Sequence, residues 1–80
     1  MTTAEAITAA IEAKEASSKA WLSALKAMNE AYTDYLLANE RGVSESEAAA
    51  RYLALRKLER KASRADDKAR KICKFLGVAE

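Results

Sequence analysis

The chain has 80 residues, 14 Lys and Arg against 12 Asp and Glu, and is 50% hydrophobic, although nineteen of those hydrophobic residues are Ala. That length allows one domain at most, near the size at which a single chain struggles to bury enough core. With no Pro, two Gly and no His, the composition is that of long helices, and it lacks the commonest general base and the commonest metal ligand.

Thr2-Thr3-Ala4-Glu5 fits a capping box that opens a helix. From there Ile7, Ile11, Lys14, Ser18, Trp21, Leu25, Met28, Tyr32 and Tyr35 keep an alternating 4-3 spacing, and seven of the nine are apolar or aromatic. That pattern predicts one amphipathic helix over about 3–41. Gly42 suits the left-handed position that ends it, and the turn is expected at 42–44.

Ser44-Glu45-Ser46-Glu47 is a second capping box. It predicts a second helix over about 45–76, with an inward stripe of Ala48, Tyr52, Leu55, Leu58, Ala62, Ala65, Ala69, Ile72 and Leu76 and a stop at Gly77. Ser63-Arg64-Ala65-Asp66 also resembles a helix start, so a break there into three helices is the alternative. So short a link forces the helices antiparallel. The fold expected is all-α, an antiparallel two-helix hairpin in a single domain, 1–80. Trp21 should lie opposite Ala62–Ala65, Tyr32 near Leu53, and Ile7 and Ile11 against Ile72–Leu76. In that register Ala65→Leu would clash with Trp21.

A hairpin buries only a seam. Leu22, Leu36 and Leu37 fall beside the stripe of the first helix, and Leu53 and Phe75 off the stripe of the second. Pairing of two hairpins into a four-helix bundle, a homodimer, is the expected remedy. These five residues are the candidate protein-binding anchors.

Residues 1–42 carry four basic and six acidic groups and residues 43–80 carry ten and six. Lys57, Arg60, Lys61, Arg64, Lys68 and Lys71 share one face of the second helix, bracketed by Leu53 and Phe75. Against a pure phosphate-binding reading stand helical pairs of Asp66 with Arg70 and of Asp67 with Arg64 and Lys71. The first helix also sets Glu12, Glu15, Glu30 and Asp34 near basic residues of the second. In architecture, though in no residue motif, the arrangement resembles the Rop type of plasmid regulator, a helical-hairpin dimer that binds paired RNA loops.

No catalytic residues, cofactor or metal are expected. Cys73, the one cysteine, has no His to activate it and reads as a small buried hydrophobe. Glu12 with Glu15, and Glu30 with Asp34, read as solvated carboxylates. No apolar run reaches membrane-spanning length. The early acid and missing basic segment at the N-terminus do not suit a signal peptide, and a lone cysteine fits a reducing compartment, so a cytoplasmic protein is expected. The leading functional expectation is a non-enzymatic regulator, inhibitor or adaptor that binds a protein with an acidic surface. Ala-rich, Pro-free frames of this size are common in phages and mobile elements, where the target would be a host protein. The alternative is a nucleic-acid-binding regulator using the basic face of the second helix.

Overall fold

The computed structural model describes residues 3–78, and the Thr2 cap lies outside them. The protein is all-α, with α1 over Thr3–Leu36, α2 over Ala38–Arg41 and α3 over Glu45–Phe75. α3 shows no break at Ser63–Asp66. Cues in the sequence account for the ends. Gly42 adopts φ 70°, and Gly42 N–H and Val43 N–H both return to Ala38 O. Ser44 Oγ accepts from Glu47 N–H at 3.5 Å. Gly77 adopts φ 77°, and Val78 N–H closes on Cys73 O at 2.9 Å.

The first helix differs from the single span expected over 3–41. It is interrupted at Leu37, whose φ and ψ are −102° and 13°. Helical bonds continue across it, Leu37 N–H to Thr33 O and Arg41 N–H to Leu37 O, each 3.0 Å. One turn upstream, Thr33 Oγ1 donates to Asn29 O at 3.1 Å, a back-bond that competes with the helical bond at that carbonyl. Beside the interruption Ala38 is buried and Leu37 half-buried.

α3 runs back along α1. Cys73 Sγ donates to Ala10 O at 3.2 Å, Ser17 Oγ to Asp66 Oδ1 at 3.0 Å, and the Tyr32 and Tyr52 rings lie 5.1 Å apart at 58°. The result is a rod, 56 × 16 × 14 Å across its Cα atoms. Its seam is built from small side chains: Ala10, Ala31, Ala38, Ala48, Ala69 and Cys73 are the buried hydrophobic residues among those described.

On α1 the inward positions include Ala10, Ser17, Ala24, Ala31 and Ala38, spaced by seven, alternating with Lys14, Trp21, Met28 and Tyr35. Ile11, Ser18, Leu25 and Tyr32, one residue further on, were expected in that line. They lie instead on its shoulder, and Tyr32 is 44% exposed. The small column wins because it lets two backbones approach closely, where Leu and Tyr would hold them apart.

On α3 the correction is larger. After Leu55 the inward line passes through Glu59, Asp66 and Cys73 rather than Leu58, Ala65 and Ile72, leaving Leu58 56% and Ile72 46% exposed. Trp21 Nε1–H donates to Glu59 Oε1 at 2.9 Å, and Ala65, expected opposite the indole, is exposed.

Ala31 is 1% exposed, so Ala31→Leu should overpack the seam and cost about 1–3 kcal/mol. Ala50→Leu, on exposed helix surface, should change stability by less than about 0.5 kcal/mol. Urea denaturation followed through the single tryptophan compares the two.

Candidate interaction surface

A buried ionic cluster holds the two long helices in register. Asp66 is 4% exposed. Its Oδ1 accepts from Ser18 Oγ at 2.7 Å and Ser17 Oγ at 3.0 Å, and its Oδ2 from Arg70 Nε at 3.0 Å. Ser18 Oγ in turn accepts from Arg70 Nη2 at 3.3 Å. Ser17 has one proton for two acceptors, because Lys14 O also lies 3.0 Å away, so Ser18 is the committed donor. The Ser18 and Arg70 hydrogen bonds hold the Asp66 carboxyl below its ordinary value of 3.8, against a smaller upward push from burial. Among the described residues no buried side-chain N or O atom lacks a partner. The sequence reading treated Asp66 as a surface partner of Arg70; the structure makes it the centre of the seam. A usable signal was present, since the antiparallel register sets Ser17-Ser18 level with residue 66.

Two bonds mark the two flanks of the rod. The Ser18–Arg70 hydrogen bond lies on the first. Helical spacing places Leu22, Leu25, Tyr32 and Leu36 of α1 there, together with Leu53 of α3. Leu22, Leu36 and Leu53 are 57%, 61% and 52% exposed. The Arg51–Asp34 ion pair, at 3.0 Å, lies on the second flank. Counting in sevens from it gives Leu58, Ala65 and Ile72 on α3, and Ala27, Ala20 and Ala13 on α1. Phe75, 89% exposed, stands at the far end of α3, one turn beyond Ile72. Of the five expected anchors, Leu37 is the exception, half-buried at the interruption between α1 and α2. Sequence reasoning missed Leu58 and Ile72, because hydrophobic spacing alone assigned them to the core.

The second flank is hollowed near the turn, between Ala31, Val43 and Ala48, with Asp34, Arg41 and Arg51 at its rim. Asp34 pairs with both arginines.

Lys57, Arg60, Lys61, Arg64, Lys68 and Lys71 are all exposed. Among the described residues the ion pairs are made by Arg41, Arg51 and Arg70. The pairs expected of Asp67 with Arg64 and Lys71 do not form, and of the α1 carboxylates expected near basic residues only Asp34 makes such a pair. The basic face therefore keeps more of its charge than the sequence reading allowed.

Among the described residues no three His, Cys, Asp or Glu side chains gather as metal ligands, and no helix is long and apolar enough to cross a membrane. Cys73 is fully buried. Compared with known proteins, the chain matches no family model, no curated protein and no solved structure.

Because the folded-state pKa of Asp66 is depressed, the stability it contributes is full above its unfolded value of 3.8 and is lost as pH falls through the lower folded value. Asp66→Asn should remove that component. Wild type should lose more of its urea midpoint than the variant between neutral and acidic pH, and parallel losses would show that the cluster does not hold an ionised carboxylate.

Proposed function

We propose that this chain is a non-enzymatic protein–protein interaction module, a small helical-hairpin regulator, inhibitor or adaptor. In this reading two hairpins pair into a four-helix bundle, and the assembly binds a protein with an acidic surface in the cytoplasm. One observation carries the proposal: the helices close on Ala, Ser, Asp and Cys, while Leu22, Leu36, Leu53, Leu58, Ile72 and Phe75 stand between 46% and 89% exposed. A self-sufficient domain places its large side chains the other way round.

The anchors for a foreign protein are Leu22, Leu36 and Leu53, with the tilted Tyr32–Tyr52 ring pair among them. Arg56 and Arg60 follow Leu53 on exposed surface. Exposed leucines edged by arginine suit an acidic protein groove, in which apolar anchors supply affinity and charge supplies orientation. The exposed basic face of Lys57, Arg60, Lys61, Arg64, Lys68 and Lys71 favours a second reading, attachment to RNA or DNA.

Salt separates them. Nucleic-acid affinity should fall log-linearly and steeply with salt concentration, whereas an apolar-anchored complex should weaken little. Leu22→Asp with Leu53→Asp should abolish capture of the partner and leave the helical spectrum unchanged. Capture that survives the double substitution but disappears in Lys61→Glu with Lys68→Glu would sink the protein reading in favour of the nucleic-acid one.

A further inference from the structure

The outward face of α3 carries a single sign of charge. Lys57, Arg60, Lys61, Arg64, Lys68 and Lys71 are all exposed, and by helical spacing they centre about 180° around α3 from Ala48, Asp66 and Cys73, which face the seam. Among the described residues from Lys57 to Lys71 no acidic group shares that face. Glu59 is bonded to Trp21, and Asp66 to Ser17, Ser18 and Arg70; Asp67 stands at one edge. The exposed Glu5, Glu12, Glu15 and Glu30 of α1 lie about 130° or more around that helix from its inward line, on the side away from α3. Asp34 pairs with Arg41 and Arg51. Along the ridge, Lys57 with Lys61, Arg60 with Arg64 and Arg64 with Lys68 set like charges four residues apart, and such pairs weaken a helix. The outward face of α1 is built the other way, with Glu15 and Lys19, and Lys26 and Glu30, of opposite sign at the same spacing. A face that had only to be wet could be built as that of α1 is.

We propose that this ridge binds the phosphate backbone of duplex DNA without sequence preference, with α3 laid in the major groove. The cations form two rows of equal spacing, Lys57, Lys61 and Lys68 on one edge and Arg60, Arg64 and Lys71 on the other, about 60° apart around the helix. Two rows suit two strands, one on each side of a groove. From Lys57 to Lys71 the run covers roughly 21 Å, the length of about six phosphates of each strand. A helix about 10–12 Å across enters the B-form major groove, about 12 Å wide, and α1 stands behind α3, clear of the duplex. Duplex RNA has a deep, narrow major groove that shuts the helix out, and a single strand meets one row only. Between Lys57 and Lys71 the ridge offers no apolar group, which an acidic protein groove or a membrane surface would need as an anchor. The chain has no Gln, and Asn29 and Asn39 lie on α1 and α2, so the side chains that pair with adenine are missing from the ridge and its contacts go to the backbone.

This assignment deepens the second reading of the basic face and leaves the first flank to the protein partner. Fluorescence anisotropy of a short, labelled, mixed-sequence DNA duplex titrated with the full chain tests it. Affinity should fall log-linearly with salt at a slope near about −5, roughly a thousand-fold between about 50 and 200 mM. Lys61→Gln with Arg64→Gln, one from each row, should flatten that slope by about 2 and leave the helical spectrum unchanged. Lys19→Gln with Lys26→Gln on α1, and Leu22→Ala with Leu36→Ala on the first flank, should leave the slope as it was. A wild-type slope of about −3 or shallower, or single-stranded DNA or duplex RNA of the same sequence bound as tightly as the DNA duplex, overturns the proposal. The failures are distinguishable. Steep salt dependence toward RNA or a single strand removes the groove and keeps the nucleic-acid reading, whereas binding of polyglutamate or of phosphatidylserine–phosphatidylcholine vesicles in place of any nucleic acid removes both.

Discussion

The carboxylate of Asp66 is the constraint around which the rest of the structure is arranged. A buried carboxylate is tolerated only when donors replace the water it has lost, and Ser17, Ser18 and Arg70 do so. Two of those donors lie on α1 and one on α3, so the group is satisfied in one relative register of the two helices. A slip by one turn would strand it. The Trp21–Glu59 hydrogen bond, two turns of α3 away, repeats the requirement. An interface made only of alanine could slide, because one alanine resembles the next; the polar cluster removes that freedom.

Turning Asp66 and Glu59 inward has a cost in hydrophobic burial. Residues one position away on α3, Leu58 and Ile72, are rotated onto the flank, and among the described residues the buried hydrophobic side chains of the seam are no larger than Cys. Close approach of the backbones recovers part of the loss through dispersion contacts. The large apolar groups are left exposed, because a narrow rod of two helices has no third layer in which to hide them.

The electrostatics follow the same geometry. Acidic groups collect around the turn and basic ones along the later part of α3, while the ion pairs that do form, at Asp34 and Asp66, are local. Lys57, Arg60, Lys61, Arg64, Lys68 and Lys71 take no part in those ion pairs. Long-range steering of an acidic surface is the property that such a field supplies.

Helix ends, helix class and approximate pairing were legible in the sequence, because Gly42, Ser44 and Gly77 act on their own neighbours through left-handed backbone and side-chain capping. The antiparallel register was legible to within about a turn: Tyr32, expected near Leu53, meets the ring of Tyr52. The exposure of Leu22, Leu36 and Leu53 followed from spacing alone. What spacing could not reveal was which of two adjacent seven-residue lines faces inward. On α3 the line of Leu58 and Ile72 is the more hydrophobic, and hydrophobicity by itself chooses it. The tertiary structure chose the line of Glu59, Asp66 and Cys73, because the hydroxyls and indole of α1 are poised opposite and its alanines allow the helices to close. That choice depends on two segments meeting across some fifty residues of chain. It also decides which face of the rod is left apolar and uncovered.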